Sequence, residues 1–431
     1  MATQQSNFDL RKETALCAVL FFPNKIHKIS VFYIMGINME IIWWIISLKQ
    51  ILLDHRSYFT QLYVWLIRET VFKNIDKVLK CGQSLGKAVF KCPNCWATKF
   101  LNFTCKSRFC TSCSKTISDT RINHLWNRLP RWIWYHHLVF TMPEGLWKFF
   151  KKHRKALKLL PRTAADAILY FFQKKCHGVP WIVAVIHTFW AKLNWNSHVH
   201  LLVTHWYRSL KTNTFTTVNF SKYFLPYEWV KTSRRTYLIK NLKTRCDQNL
   251  KWEYCHQEKK FLNQFFEFHN KEWELSNRYC SFSKYRFGFE QIIGYIWRYV
   301  KRPIIAQSRL IDYDGTNVTY SFRDKYDNNQ TKTITTNAID FIWSIVQHIP
   351  EKYFHMVYYY GIFSTRSKQK YLPLINQLHP TTRIYNRIPK NYASRMFLFL
   401  GFNPLKCSCW GLFQKFCLII PWYPTIYYDD L

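Results

Sequence analysis

The sequence predicts an α+β protein, in which strands and helices are mixed without strict alternation. Apolar residues recur at helical spacing over residues 51–80, which indicates helices. Apolar and β-branched runs at 181–187 and 198–204 indicate two buried strands. Two Cys-x-x-Cys pairs between residues 92 and 113 indicate a small metal-stabilised module between those helices and strands.

Local patterns assign the other elements in chain order. A strand is predicted at 133–141, before the stop at Pro143, and two helices are predicted within 144–176, divided around Pro161. The later elements are a basic, aromatic and largely helical stretch at 207–281, a helix at 289–302, and a strand at 318–322 after the turn Asp314-Gly315.

The charge of the chain indicates a polyanionic partner. The 431 residues include 62 Lys and Arg against 25 Asp and Glu, a formal net charge of +37. Such a charge repels itself in the folded state unless an anion neutralises it, so nucleic acid is the first candidate, a membrane surface the second and an acidic protein the third. The length allows roughly two to four domains.

Several common enzyme classes lack their sequence signatures. The stretch 82–88 resembles a P-loop but is one residue short and has no Ser or Thr for Mg²⁺. We find no Gly-x-Gly-x-x-Gly, His-Glu-x-x-His or Gly-x-Ser-x-Gly motif, which argues against dinucleotide, zincin and hydrolase sites. We therefore expect no nucleotide cofactor.

Residues 29–48 form a mostly apolar stretch long enough to span a bilayer. Asn38 and Glu40 lie near its middle, and an acidic side chain there costs about 2.5–3.5 kcal/mol on insertion. A membrane anchor is therefore not expected. A buried or amphipathic segment, or sequence upstream of a start at Met35 or Met39, remain as interpretations.

Two cysteine pairs carry the strongest metal signal. A secreted disulfide scaffold is not expected of the 14 cysteines, since such scaffolds are short chains with a cleavable signal. Cys92 and Cys95 form one Cys-x-x-Cys pair, and Cys110 and Cys113 form the next after fourteen intervening residues. This zinc-ribbon spacing predicts that both pairs bind one structural Zn²⁺. Reduced cysteines packed as small apolar groups are the alternative.

Neighbouring residues extend this module. Cys81 and Cys105 are candidate ligands of a second ion, or exchange with the four. Lys106 and Arg108 lie between the cysteines, where their charges favour thiolates and suit a surface that faces phosphates.

A histidine pair marks the predicted strand at 198–204. His198 and His200 are two residues apart, so both side chains leave one face of the sheet, while Val199, Leu201 and Val203 face apolar packing on the other. Two imidazoles leave coordination positions free for a phosphate oxygen, which suits a catalytic metal. An incidental pair of histidines is the alternative.

The predicted helix at 289–302 carries two tyrosines on one face. Tyr295 and Tyr299 are four residues apart, and Gln291 lies one turn earlier on the same face. The neighbouring basic residues are Arg298, Lys301 and Arg302. They favour a phosphate-facing environment and a phenolate, which together with the histidines suggests phosphodiester cleavage. Tyrosines packed in a core are the alternative.

Five motifs occur in one order over most of the chain. They lie at 105–113, 137–143, 187–200, 295–303, and 348–350 followed by 359–361. In this set the chain resembles the two-tyrosine rolling-circle transposases of the insertion sequence 91 type, which are HUH (histidine, hydrophobic, histidine) endonucleases. The resemblance runs from about residue 52 to residue 363.

The resemblance implies a single-stranded DNA endonuclease and strand transferase. Tyr295 and Tyr299 would attack the scissile phosphate and form a 5′-phosphotyrosine link, while His198 and His200 hold Mg²⁺ or Mn²⁺ on it. Gln291 and His137 are the candidates for a third metal ligand.

The resemblance also implies an architecture and partners. It implies an HUH-type core, a mainly antiparallel sheet that carries the histidines and is flanked by helices, after a zinc module that binds the element's ends. DNA of the ends and of the target would be the partner, in the bacterial cytoplasm and nucleoid. The expected divisions are an extension at 1–50, the zinc module at 51–120, the catalytic domain at 121–370 and a tail at 371–431.

Three features depart from the family pattern. Tyr358 stands where a basic residue usually precedes Tyr-Tyr-Gly, and His205-Trp206 replaces small residues after the histidine strand. The tail around Cys407 and Cys409 resembles a degenerate cysteine knuckle. A non-catalytic zinc-containing DNA-binding protein and a rolling-circle replication initiator are therefore the alternatives.

Overall fold

A computed structural model describes most of the chain after residue 45. The described residues are 46–107, 109–113, 129, 133–218, 225–247, 256–275, 280–282, 287–288, 291, 304–324, 327–364, 366–367, 369–371, 397, 403–421 and 426–427. The predicted tyrosine helix and the apolar stretch at 29–48 lie almost wholly outside these ranges. Within them, no helix combines the length and the apolar character that crossing a membrane requires.

Helices and strands alternate irregularly along the described chain. The α-helices are α1 (Leu48–Tyr63), α2 (Glu69–Leu79), α3 (Glu144–Lys152), α4 (Leu159–Lys175), α5 (Tyr227–Asp247), α6 (His256–Leu275) and α7 (Ala338–Val346). The strands are β1 (Lys87–Lys91), β2 (Thr98–Asn102), β3 (Tyr135–Phe140), β4 (Gly178–Phe189), β5 (Trp195–Ser209), β6 (Phe215–Thr217), β7 (Cys280–Phe282), β8 (Leu310–Tyr313), β9 (Asn317–Asp324), β10 (Gln330–Asn337), β11 (Val357–Gly361), β12 (Gln414–Ile419) and β13 (Ile426–Tyr427). The predicted α+β class is confirmed.

The largest sheet has the strand order β11-β4-β5-β3-β7, with β6 paired to β5, and its pairs are antiparallel. Its centre is the long β4–β5 hairpin, which is in register from Gly178 opposite Ser209 to Phe189 opposite Trp195. The two strands that sequence periodicity predicts at 181–187 and 198–204 are the middle of this hairpin.

One face of this sheet packs against α3, α4, α5 and α6. Val199, Leu201 and Val203 belong to the buried core on that side, as the alternation of β5 predicts. Full burial of one such aliphatic side chain contributes about 1.5–3 kcal/mol. This packing sets the register of β5, because a slip by one residue would turn its histidines into the helical core.

The two helices predicted within 144–176 are present, but the break between them lies elsewhere than expected. The chain leaves α3 at Lys152 and passes through a 3-10 turn at Arg154–Lys158 before α4 begins. Pro161 lies in the first turn of α4. A proline is tolerated there because the first N–H groups of a helix have no partner within the helix.

A second core joins the amino-terminal helices to a later part of the chain. Helices α1 and α2 pack with α7 and with the antiparallel sheet β10-β9-β8. The rings of Tyr63 and Trp343 stack with centroids 4.6 Å apart. Asn337 caps α7, because its side chain accepts a hydrogen bond from the backbone N–H of Ile339.

A third sheet joins the two ends of the described chain. Its order is β13-β12-β1-β2, so the carboxyl-terminal strand β12 pairs antiparallel with β1 of the cysteine module. Lys87 lies opposite Asn102 in β2 and opposite Ile419 in β12. The tail therefore completes the sheet on which the first cysteine pair is carried.

Candidate functional site

Three histidines meet on the face of the large sheet opposite its helices. His187 ends the apolar run of β4 and lies directly across from His198 of β5. With His200 they form a group whose ring nitrogens lie within 4.8 Å of one another. Each side chain is only 7% exposed. The β4–β5 hairpin thus brings three buried imidazoles to one point.

The neighbours of these histidines fix which nitrogen each presents. His137 of β3 lies with its Nε2 2.9 Å from Nδ1 of His200, and the two rings stack. Nδ1 of His198 lies 2.9 Å from the carbonyl oxygen of Asn196. With Nδ1 engaged in both rings, Nε2 is the nitrogen available to a metal.

The third member of the group is neither of the two residues expected. Gln291 is exposed, and its Oε1 accepts a hydrogen bond from the N–H of Gly288 at 3.1 Å. His137 orients His200 from outside the group. His187 was missed, although the hairpin that two adjacent antiparallel strands form would have suggested a partner for His198 across the pair.

The donor set fits a divalent metal ion. The grouped ligands are three nitrogens, and no carboxylate joins them among the described residues. Imidazole suits first-row transition ions, whereas Mg²⁺ prefers oxygen donors. Of the two catalytic ions expected, Mn²⁺ therefore fits this group better. Three protein ligands also leave positions for a substrate oxygen.

The predicted tyrosine helix lies outside the described residues, as do Tyr295, Tyr299, Arg298, Lys301 and Arg302. The chain that leads into it is described at Phe287, which exchanges two backbone hydrogen bonds with Tyr135 of β3 at 2.9 and 3.0 Å. Phe287 also packs against the apolar cluster on the histidine face. The approach to the tyrosines is therefore attached to the strand that carries His137.

The loop of the β4–β5 hairpin is held by a buried histidine from another motif. Nε2 of His348 lies 2.9 Å from the carbonyl oxygen of Leu193, and its ring stacks on Trp195 at 5.4 Å. Burial lowers the pKa of His348 to about 3, so the ring is neutral. His348 thereby holds the loop that sets His187 opposite His198.

The two departures near the sheet have structural explanations. Tyr358 of β11 packs against the helical core, where burial raises the pKa of its phenol to about 12. His205 lies with Nδ1 3.0 Å from Nε2 of His136. Neither residue belongs to the group of three histidines.

The cysteines form two clusters, which corrects the expectation of one ion shared by both pairs. The clusters are Cys81, Cys105, Cys110 and Cys113, and Cys92, Cys95, Cys407 and Cys409. The reason is the β1–β2 hairpin, which carries one Cys-x-x-Cys pair at its turn and leads to the other from its open end. Strands of five residues separate these ends by about 17 Å.

In each cluster the crowding of thiols favours a thiolate. A hydrogen bond from the Cys105 thiol, foremost, lowers the pKa of Cys110 to about 2. The backbone N–H of Cys409 is the main reason that the pKa of Cys407 falls to about 6. Thiolates are the form that binds zinc. Lys106 lies exposed beside the first cluster, and Arg108 lies outside the described residues.

Comparisons with known proteins match this chain in two regions. A family model described as "Transposase zinc-binding domain" matches residues 51–142, and one described as "Putative transposase" matches residues 182–370. The first region contains six of the clustered cysteines, and the second contains the three histidines.

Two curated proteins resemble most of the chain. The transposase for insertion sequence element IS801 of Pseudomonas savastanoi pv. phaseolicola is 30% identical over 355 residues, 80% of this chain and 83% of that protein. "Putative transposase y4qJ" of Sinorhizobium fredii (strain NBRC 101917 / NGR234) is 24% identical over 343 residues, 75% of this chain and 82% of that protein. No solved structure matches the chain significantly.

Proposed function

This chain belongs to the transposase family of insertion sequence 91, and on that premise we propose that it is a metal-dependent, HUH-type single-stranded DNA endonuclease and strand transferase. The observation that carries the proposal is the group of three buried histidines on one face of an antiparallel sheet. Buried imidazoles with fixed Nδ1 contacts are costly to maintain as packing alone, since each polar nitrogen must be satisfied.

His187, His198 and His200 are the proposed metal ligands. A divalent ion held there would act as a Lewis acid on the scissile phosphate. His137 and the carbonyl group of Asn196 keep Nε2 of His200 and His198 turned toward the ligand position. The apolar core under β5 holds the strand so that this orientation needs no rearrangement before reaction.

Tyr295 and Tyr299 are the proposed nucleophiles. The phenolate oxygen of one tyrosine forms a bond to phosphorus, and the bond from phosphorus to the 3′-oxygen breaks, leaving a 5′-phosphotyrosine and a protonated 3′-hydroxyl. The energy of the phosphodiester is retained in the new ester, so no nucleotide cofactor is required. The second tyrosine allows a second strand to be held in turn.

Zinc has a structural role in this proposal. Cys81, Cys105, Cys110 and Cys113 hold one Zn²⁺ within the matched zinc-binding domain, and this module binds the ends of the element in the bacterial nucleoid. The net charge of +37 supplies the attraction to DNA.

The test is covalent capture of DNA. The purified chain is incubated with labelled single-stranded oligonucleotides of the element's ends and Mn²⁺, and a denaturant-resistant adduct is expected. His187→Ala should abolish it, whereas His136→Gln, on the helical face of the same sheet, should retain it. Absence of an adduct with wild type would leave the non-catalytic DNA-binding alternative. An adduct that persists in Tyr295→Phe/Tyr299→Phe would reject the proposed nucleophiles.

A further inference from the structure

We propose that Cys92, Cys95, Cys407 and Cys409 form a second structural zinc site, which fastens the carboxyl-terminal tail to the amino-terminal module. The tail cysteines lie outside both regions that match family models, 51–142 and 182–370. The site would therefore be built from segments that lie more than 300 residues apart in the sequence.

The sulfur positions suit one tetrahedral ion. Sγ of Cys92 lies 3.4 Å from Sγ of Cys409, and Sγ of Cys95 lies 3.5 Å from Sγ of Cys407. Four thiolates at about 2.3 Å from zinc have sulfurs about 3.8 Å apart in a regular tetrahedron. A disulfide would require about 2.05 Å. The observed distances are close to the first value and far from the second.

Each cysteine pair lies in a tight turn of the same kind. The N–H of Trp96 donates to the carbonyl oxygen of Cys92 at 2.9 Å, and the N–H of Trp410 donates to the carbonyl oxygen of Cys407 at 3.0 Å. Both tryptophans have positive φ, 61° and 69°, which is uncommon for a bulky residue. Two strained turns that face each other across four sulfurs indicate a ligand that repays the strain.

The backbone of the tail approaches the cluster too closely for an ordinary side chain. A Cβ atom added at Gly411 would lie 2.8 Å from Sγ of Cys92. Burial is not the reason for this approach, since Cys95 is exposed and both tryptophans are more than 70% exposed. Apolar packing of free thiols would place the cysteines inside a core, so metal binding explains the arrangement better.

The site would stabilise a sheet that has little core of its own. β1 and β12 pair over five residues, but β2 alternates between exposed and half-buried residues. Small modules without a sufficient core commonly depend on a metal. Loss of the ion should therefore release β12 from β1.

The experiment measures the zinc content of the full-length chain. Wild type should contain two zinc ions per chain, and Cys407→Ser/Cys409→Ser should contain one. Cys417→Ala removes a buried cysteine of β12 outside the cluster and should retain two. Limited proteolysis should cut the tail of the double variant faster than that of wild type or of Cys417→Ala.

Two results would overturn this proposal. One is a wild-type chain with a single zinc ion, which decides the matter even where the double variant fails to fold. The other is a folded double variant that retains two ions. Cobalt substitution gives an independent reading, because the thiolate absorption should fall by half in Cys407→Ser/Cys409→Ser.

A different observation supports a second inference, which rests on the proposed function. We infer that the basic groove between α2 and the loop at 348–356 carries single-stranded DNA from the zinc module to the histidine site. Its volume is about 900 Å³, and its wall is formed by α2, the Lys106 loop, the end of β4 and the segment 348–356.

Lysines of α2 line one side of the groove. Lys73, Lys77 and Lys80 share a face at i, i+4 and i+7, while Val71, Ile75 and Val78 bury the other face. Within the part of the chain that the structure describes, Lys77, Lys80 and Lys106 have no ion-pair partner. Three unneutralised cations along one wall suit a phosphate backbone.

The acidic residues of the groove are already neutralised. Glu69 pairs with Lys73 along α2. Asp76 pairs with Arg56 at 2.6 Å, and Glu351 pairs with Arg68 and accepts a hydrogen bond from Thr70 at 2.8 Å. These pairs leave the free lysines as the main charges that an entering anion would meet.

Aromatic residues connect the groove to the histidines. Phe189 lines the groove, and its ring lies parallel to that of His187 with centroids 5.8 Å apart. Tyr353 is 81% exposed on the other wall, beneath Nζ of Lys352 at 4.9 Å. Stacking on such rings contributes about 1–3 kcal/mol per base. Ile304, which also lines the groove, follows the predicted tyrosine segment directly.

The experiment measures the salt dependence of binding to a labelled single-stranded oligonucleotide. Lys77→Gln/Lys80→Gln should lower the slope of log K against log salt by about 1.4, at about 0.7 per lost phosphate contact on single strands. Lys240→Gln/Lys243→Gln removes two exposed lysines of α5 that do not line the groove. We expect this pair to change the slope much less.

The outcomes separate this inference from the proposed function. Equal slopes in the two double variants would overturn the groove, even if wild type forms a covalent adduct. A reduced slope in the groove variant alone would support the groove, even if wild type forms no adduct. The covalent assay and the binding assay therefore fail independently.

Discussion

Replacement of His137 by Phe should weaken metal binding without removing a ligand. His137→Phe keeps an aromatic ring of similar size in β3 but deletes the Nε2 that lies 2.9 Å from Nδ1 of His200. His200 would then lose the contact that fixes its tautomer and its ring orientation. The ion would remain bound by the same three histidines, but less tightly.

The expected size follows from the position of His137 outside the ligand set. Loss of a partner that orients a metal ligand typically lowers affinity by about 10–100-fold. That range corresponds to about 1.4–2.7 kcal/mol of binding free energy. Loss of a ligand itself, as in His187→Ala, should cost more. The order of the two variants is therefore the sharpest part of the prediction.

Calorimetric titration of the zinc-loaded chain with Mn²⁺ measures these affinities. His136→Phe is the matched control, because the adjacent His136 lies on the opposite face of β3 and has its own imidazole partner, His205, at 3.0 Å. Both Phe variants bury the same ring and break one contact between imidazoles. We expect Mn²⁺ affinity to fall only in His137→Phe.

Two results would refute the reasoning. If His137→Phe lowered affinity more than His187→Ala, His137 would be the third ligand and His187 a neighbour. If His136→Phe and His137→Phe weakened binding equally, the loss would reflect general damage to β3 and not the orientation of His200.

Three further predictions concern stability and zinc. Because burial holds the folded-state pKa of His348 near 3 against an ordinary 6.5, the unfolded chain binds the proton first as the pH falls below 6.5. The free energy of unfolding should then drop by up to about 1.4 kcal/mol per pH unit between those values, and denaturation of His348→Gln should show a shallower dependence. Asn337→Ala removes the cap of α7 and should cost about 1 kcal/mol in urea denaturation. Gly411→Ala should speed zinc release to a chelator, since its methyl group would lie against Sγ of Cys92.

Periodic features were predictable from the sequence. The alternation of β5 placed His198 and His200 on one face and Val199, Leu201 and Val203 on the other, because successive side chains of a strand point to opposite sides. Helical spacing likewise located α1 and α2. Pro161 misled the prediction, because a proline divides a helix only when it lies beyond the first turn.

Ligand sets were not predictable in the same way. His187 lies eleven residues before His198 in the sequence, and only the register of the hairpin sets them opposite each other. Cys407 and Cys409 join Cys92 and Cys95 because β12 pairs with β1. Spacing describes what one local segment can do, whereas these sets combine segments that meet only after folding.

The sequence by itself determined the α+β class, the transposase family, the histidine pair and the cysteine content, because composition, period and motif order are local properties of a chain. The tertiary structure alone decided which third histidine completes the group and how eight cysteines divide between two clusters. Both outcomes depend on strand register, which is set by the burial of whole faces and by turns such as the one that His348 holds. Local spacing contains no information about that register.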